Sequence, residues 1–136
     1  MLEKKCGTCD HTKPLSEFFH VCSKKGTYRK ECKECTRKKR REKASLVYDY
    51  VYDYLSKNPC VKCGYSDIFG LEFDHIDATT KSMKLADMAK YPLPKVVDEI
   101  KKCQVLCSPC HRKKTAIEGG FYIVEYMEKR GTPLKF

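Results

Sequence analysis

Four Cys-x-x-Cys pairs carry the clearest chemistry in this sequence of 136 residues. The pairs are Cys6–Cys9, Cys32–Cys35, Cys60–Cys63 and Cys107–Cys110. This spacing lets two thiolates of one tight turn face the same ion, and two such turns complete a closed tetrahedral zinc site. A single pair would also suit a redox motif, but the sequence lacks the βαβ pattern in which that motif is found. Four pairs therefore predict two structural Zn²⁺ ions.

Joining the pairs in sequence order closes the shortest loops, whereas interleaved pairing would close longer loops at a greater entropy cost. Sequential pairing assigns the first zinc to Cys6, Cys9, Cys32 and Cys35, and the second to Cys60, Cys63, Cys107 and Cys110. His11, His20 and Cys22 remain alternative ligands for the first site. The favoured interpretation of Cys22 and Cys103, which lie outside the pairs, is that they are small buried apolar residues.

Two histidines with informative neighbours form a second candidate site. Asp74-His75 ends a predicted strand after the third pair, and His111 directly follows Cys110. Because the second zinc would tie His111 to the turn before that strand, the three side chains can converge. Asp74 and His111 could then hold a divalent cation with open positions for water and a phosphate oxygen. His75 would take a proton from the attacking water.

Each of these residues also has a simpler interpretation. Asp74 could cap a turn, His75 could be an ordinary surface residue, and His111 could replace a cysteine as a zinc ligand. Because all three residues occur together beside predicted zinc-binding pairs, we favour the catalytic interpretation.

The elements that must position these residues are short, with one exception. Residues 4–35 predict a zinc ribbon of short strands, with a turn at Lys25-Gly26 and a small core, for which metal binding must supply most of the stability. The core residues are Leu15, Phe18 and Phe19. Residues 36–57 contain no Gly or Pro and predict one long helix ending at Asn58-Pro59, although the tyrosines alternating from 48 to 54 also fit a strand.

The carboxy-terminal part predicts alternating strands and helices. Residues 71–76 predict a short strand, and residues 104–106 form a second short apolar segment. A helix is predicted from the spacing of Leu93, Val96, Val97 and Ile100. Ser108 and Pro109 have the character of an N-cap and a first helical position, and Gly119-Gly120 marks the end of that helix.

The charge of the chain, formally +10, predicts a nucleic-acid partner. Residues 29–43 carry a local charge of +6. Candidate phosphate contacts are Arg37, Lys38, Lys39, Arg40, Arg41, Arg112, Lys113 and Lys114. No apolar run is long enough for a membrane span and no apolar leader begins the chain, so a cytoplasmic location is expected.

The sequence LEFDHID followed by LCSPCHRKKT, with PCVKCG upstream, resembles the HNH endonuclease family in its zinc-containing phage and prophage branch. The resemblance covers residues 58–118, and the ribbon with its basic helix resembles the amino-terminal module of many phage HNH proteins. It implies a small α+β protein with a zinc ribbon in residues 1–35, a basic, tyrosine-rich linker helix in 36–57 and a ββα-metal (HNH) nuclease domain in 58–136. The host cytoplasm is then the expected location.

The same resemblance implies DNA cleavage with Mg²⁺ or Mn²⁺, leaving 5′-phosphate and 3′-hydroxyl ends. His75 would be the general base, and Asp74 and His111 the ligands of the catalytic ion. Lys102 stands where the family has an Asn that braces the loop of the base, and Lys cannot accept a hydrogen bond. Backbone groups or Gln104 would then brace His75, or activity would be reduced, and Lys102 would be free to contact DNA.

Two other functions fit the same residues. One is a catalytically silent zinc-dependent DNA-binding protein, which the Lys102 departure and the basic helix keep open. The other is a phage packaging or assembly accessory that binds partner proteins. A homodimer also stays open, because a double-strand cut needs two active sites.

Overall fold

The computed structural model describes residues 2–22 and 24–132 and divides the chain into two compact units, residues 1–45 and 46–136. Both units combine helix with two-stranded antiparallel sheets, as expected for a small α+β protein. The boundary between the units falls inside the segment interpreted above as a linker helix. The two halves of that helix therefore belong to different units.

The first unit consists of two β-hairpins and the start of the first helix. The strands are β1 (Glu3–Lys5), β2 (Thr12–Pro14), β3 (Phe18–Cys22) and β4 (Thr27–Cys32). Gly26 has a φ of +59° between β3 and β4, which confirms the predicted turn. Of the predicted apolar core, Phe18 alone is fully buried, and it packs with the cysteines.

The long helix α1 (Lys33–Lys57) confirms the helical interpretation of the tyrosine-rich segment. Within the second unit it presents a buried stripe at i, i+4 spacing, which a strand could not form. The stripe consists of Val47, Val51 and Leu55. Tyr48 and Tyr52 lie on the exposed side of the helix. Neither α1 nor any other helix within the described residues is long and apolar enough to cross a membrane.

The second unit is built on the antiparallel pair of β5 (Leu71–His75) and β6 (Cys103–Cys107). Within the described residues this unit also contains three further α-helices, and the first two confirm predicted helices. They are α2 (Leu93–Ile100), α3 (Ser108–Glu118) and α4 (Tyr122–Lys129). Side chains alternate along β5. Leu71 and Phe73 face the core, so Glu72 and Asp74 share the opposite face.

The prediction that Ser108 caps α3 is wrong. Cys107 occupies the cap position in extended conformation, and Ser108 is already the first helical residue. The chain passes directly from β6 into α3, so the last residue of the strand has to serve as the cap. The hydroxyl of Ser108 instead donates a hydrogen bond to Glu72.

Candidate functional site

The first cysteine cluster contains the four residues that sequential pairing predicts. The Sγ atoms of Cys6, Cys9, Cys32 and Cys35 all lie within 4.8 Å of one another. Cys6 follows β1, Cys32 ends β4 and Cys35 lies in the first turn of α1. The backbone N–H of Cys32 donates to Cys6 Sγ at 3.2 Å, as a thiolate ligand requires. Among the described residues neither Cys22 nor a histidine joins this cluster.

The second cluster confirms the other predicted set. The Sγ atoms of Cys60, Cys63, Cys107 and Cys110 also lie within 4.8 Å of one another. Cys60 and Cys63 belong to a tight turn that Gly64 completes with a φ of +76°, and Gly64 N donates to Cys60 O at 2.9 Å. The other two ligands come from the end of β6 and the first turn of α3. The cluster thus links the turn before β5 to α3.

The thiols of both clusters have the electrostatics of metal sites. The N–H of Cys32 is the main reason why the pKa of Cys6 falls to about 6, and hydrogen bonding to Cys32 together with burial raises the pKa of Cys35 to about 12. Burial raises the pKa of Cys60, but the N–H groups of Cys107 and Cys63 outweigh it and hold it near 6. Four adjacent thiols cannot all ionise without a compensating cation. Each donor set fits a tetrahedral Zn²⁺.

A polar cluster beside the second set brings Asp74 and His111 together. Asp74 Oδ1 lies 3.4 Å from His111 Nε2. Its other oxygen, Oδ2, accepts from Lys114 Nζ at 2.6 Å and Gln104 Nε2 at 2.9 Å. Burial raises the pKa of Asp74, but these two donors outweigh it and hold the carboxyl below its ordinary value. Gln104 therefore supports the carboxylate and not His75.

Glu72 binds the opposite edge of the His111 ring. Glu72 Oε2 lies 2.5 Å from His111 Nδ1, and Ser108 Oγ donates to Glu72 Oε1 at 2.9 Å. The hydrogen bond with His111 is the main reason why the pKa of Glu72 lies below its ordinary value. An open cleft with a volume of about 470 Å³ borders Glu72 and His111. The side of the cluster formed by Glu72 and His111 is therefore accessible to solvent, whereas Asp74 is buried.

His75 has a different environment, although it directly follows Asp74. Its Nε2 lies 2.8 Å from Glu99 Oε1, and its side chain is only 10% exposed. Since alternate residues of a strand face opposite sides, His75 leaves β5 on the side opposite Asp74. Within the described residues no hydrogen bond or ion pair joins His75 to Asp74 or His111. Of the three residues predicted to converge, Asp74 and His111 are therefore in contact, whereas His75 is held by Glu99.

Glu99 is the centre of a buried network. Its side chain is 1% exposed and accepts from five donors. The donors are His75 Nε2, Ser82 N, Ser82 Oγ, Met83 N and Lys102 Nζ. Burial raises the pKa of Glu99, but these hydrogen bonds outweigh it and hold the carboxyl well below its ordinary value. Glu99 therefore anchors the loop after β5 to α2.

Lys102 braces the same loop. Its Nζ donates to Glu99 Oε2 at 2.8 Å and to the carbonyl of Thr80 at 3.0 Å. Its own carbonyl accepts from the N–H of Ile76, the residue after His75, at 3.1 Å. A backbone brace, one of the alternatives raised above, is therefore present. The side chain adds a second brace, and its amine already has internal partners.

The remaining predicted phosphate contacts lie on helix surfaces. All five residues of the run from 37 to 41 on α1 are exposed, but Lys39 pairs with Glu31 and the guanidinium of Arg40 lies 5.7 Å from the ring centre of Phe19. Arg112 and Lys113 are exposed on α3. Lys114 is committed to Asp74, with its side chain 17% exposed.

Sequence reasoning missed the two glutamates that bind the candidate histidines. Glu72 could have been found from its place two residues before Asp74, because both must share one face of a strand. Glu99 lies between Val96 and Ile100, on the apolar side of α2, where a charged residue needs a buried partner. No sequence pattern indicates that this partner is His75.

Comparison of the chain with protein-family models, with curated proteins and with solved structures gives no match in any of the three. The functional argument therefore depends on the chemistry of the side chains described above.

Proposed function

We propose that this chain is a metal-dependent DNA endonuclease of the HNH type, stabilised by two Zn²⁺ ions. The observation that carries the proposal is the approach of His111 Nε2 to Asp74 Oδ1 at 3.4 Å. An imidazole nitrogen and a carboxylate oxygen at that separation can bind one divalent cation and leave its other positions open. Mg²⁺ or Mn²⁺ bound there would stabilise negative charge on the scissile phosphate and the leaving 3′ oxygen.

His75 would supply the general base. Glu99 engages its Nε2, and within the described residues its Nδ1 has no hydrogen-bond partner. A buried carboxylate on Nε2 favours the tautomer in which Nδ1 carries the lone pair, and it stabilises the imidazolium once a proton is taken. Nδ1 is therefore the atom that accepts the proton of the attacking water.

The basic surface of α1 suits a nucleic-acid substrate. Its exposed Arg and Lys residues offer phosphate contacts that do not depend on base sequence. Arg112 and Lys113 would contact phosphates near the candidate ion site. We expect weak sequence preference, because within residues 2–22 and 24–132 no element presents a set of side chains suited to reading base edges.

A plasmid-cleavage assay tests the proposal. The zinc-loaded wild type should nick or cut supercoiled DNA with Mg²⁺ or Mn²⁺, and His75→Ala should slow cleavage by about a hundredfold or more. His20→Ala is the matched control, because His20 is exposed in the first unit and its ring contacts Tyr28. Equal rates for wild type, His75→Ala and His111→Ala would reject the nuclease proposal.

The burial of His75 favours a second candidate, a DNA-binding zinc protein without hydrolytic activity. In that case the His75–Glu99 pair only braces the loop after β5, and Lys114 permanently neutralises Asp74. This candidate predicts DNA binding with the same salt dependence but no cleavage with any divalent ion. The plasmid assay separates the two candidates.

A further inference from the structure

The ring of His111 lies between two carboxylates of one strand. Glu72 Oε2 is 2.5 Å from Nδ1, well within hydrogen-bond reach, whereas Asp74 Oδ1 is 3.4 Å from Nε2. The second distance is longer than an N–H···O bond. Glu72 and Asp74 are two residues apart in β5, so their side chains lie on the same face of the strand, the face that contacts His111 of α3.

We propose that Glu72 is a positioning residue that holds His111 as its Nδ1–H tautomer, so that the Nε2 lone pair points toward Asp74 and can bind a divalent cation. The inference deepens the proposed function, since it concerns the same ion site. A neutral imidazole carries one proton, and an acceptor at Nδ1 assigns that proton to Nδ1. The nitrogen facing Asp74 is then the one able to donate electrons to a metal.

Ser108 completes this arrangement. Its hydroxyl donates to the second oxygen of Glu72 at 2.9 Å, and it lies one helical turn before His111 on α3. Both oxygens of Glu72 therefore have partners, and Glu72 lies at the edge of the His111 ring opposite Asp74. Glu72 thus orients the ligand instead of binding the ion. Carboxylates that accept from a metal-bound histidine commonly change metal affinity by 10–100-fold when mutated.

The positive groups around the cluster are compatible with this role. Lys114 binds Asp74 through Oδ2, which leaves Oδ1 directed at His111. Gln104 binds Oδ2 as well. Among the described residues the donors of Asp74 therefore gather at one oxygen, and the gap between Oδ1 and Nε2 is the place for an added cation.

Manganese binding to the full-length, zinc-loaded protein tests the proposal. The signal of free Mn²⁺ in electron paramagnetic resonance gives the affinity for wild type, Glu72→Gln and Asp74→Asn. We expect Glu72→Gln to weaken binding by about 10–100-fold and Asp74→Asn to weaken it at least as much. Glu118→Gln is the matched control, because it also removes one negative charge. Glu118 lies 3.5 Å from Lys114 and has no bond to His111 among the described contacts, so this variant should leave the Mn²⁺ affinity nearly unchanged.

A second measurement does not depend on the ion. Nitrogen-15 chemical shifts of the His111 ring, followed over pH in zinc-loaded, manganese-free protein, should show that the single proton of the neutral ring is on Nδ1, and Glu72→Gln should mix or reverse the tautomers. Wild-type Mn²⁺ affinity in Glu72→Gln, an equal loss in Glu118→Gln, no Mn²⁺ binding that depends on Asp74, or a neutral ring whose single proton is on Nε2 would each overturn the proposal. Binding and tautomer results as expected, with no plasmid cleavage by the wild type, would uphold the role of Glu72 and reject the nuclease proposal.

Discussion

Replacing Glu99 by glutamine should destabilise the zinc-loaded second unit by about 2 kcal/mol. The amide oxygen can still accept from His75 and from the N–H groups of Ser82 and Met83, which approach Oε1. The new amide NH₂ then faces Lys102 Nζ, which has no lone pair to offer. A lost charge-assisted hydrogen bond is worth about 1.5–3 kcal/mol. Partial exposure of Lys102 keeps the value in the lower part of that range.

A double-mutant cycle isolates the interaction between Glu99 and Lys102. Lys102→Met alone leaves the carboxylate with four donors and should cost about 1–2 kcal/mol. In Glu99→Gln combined with Lys102→Met, no ammonium faces the amide, so the double variant should be more stable than the sum of the single losses by about 1 kcal/mol or more. The matched control is the Asp98–Lys101 pair, which has the same spacing but is solvent-exposed. Its coupling should be below about 0.5 kcal/mol.

Urea unfolding followed by tyrosine fluorescence measures these values. Tyr28 is the one tyrosine outside residues 46–136, so the signal reports mainly on the second unit. The free Zn²⁺ concentration must be fixed, because a bound metal shifts apparent stability by mass action. If Glu99→Gln unfolds within about 0.5 kcal/mol of wild type, or if the single losses simply add, the argument that Glu99 organises this loop through Lys102 is wrong.

Three further outcomes follow from the metal sites and the charges. The purified protein should contain two Zn²⁺ ions per chain, and Cys60→Ser should lose one of them and unfold the second unit. Elemental analysis that finds one ion or none in the wild type would contradict the assignment of both cysteine clusters as zinc sites. Neutralising four exposed basic residues of α1 should weaken binding to all DNA sequences alike and reduce the salt slope by about one per phosphate contact, and fluorescence anisotropy with an unchanged slope would place the contacts elsewhere. The four residues are Arg37, Lys38, Arg40 and Arg41. Lys114→Met should tighten Mn²⁺ binding by about tenfold, because the ammonium 2.6 Å from Asp74 Oδ2 competes with the ion; equal or weaker binding would show that it does not.

The elements could be predicted from the sequence because their signals are local. The absence of Gly and Pro from residues 36–57 correctly favoured a helix over the strand that alternating tyrosines suggest, and Val47, Val51 and Leu55 form its buried stripe. Sequential cysteine pairing followed from loop length alone. The cap of α3 was mispredicted because Ser108 has good N-cap chemistry, and local chemistry does not show that a strand runs directly into the helix.

The candidate site was less predictable because its contacts join distant segments. Sequence spacing predicted that Asp74 and His111 converge, and the two side chains lie 3.4 Å apart because the second cysteine cluster links their elements. Because side chains alternate along β5, Asp74 and His75 point to opposite faces of the strand. The two residues are neighbours in the sequence motif, so the sequence alone suggests that they belong to one group. The contact between His75 and Glu99 depends on the tertiary packing of α2. No rule of sequence spacing predicts a contact between these two positions.

The start of α3 carries two tasks at consecutive residues. Cys110 belongs to the second cysteine cluster, His111 belongs to the polar cluster, and Lys114 follows one turn later. Inserting one residue between Cys110 and His111 would turn His111 by about 100° around the helix axis and away from Asp74, without altering a single zinc ligand. Inserting a whole turn would recover the direction but move the ring about 5.4 Å along the axis. A substitution at an exposed position such as Arg112 or Lys113 would leave the position of the His111 ring unchanged, whereas any change in the length of this segment would move it.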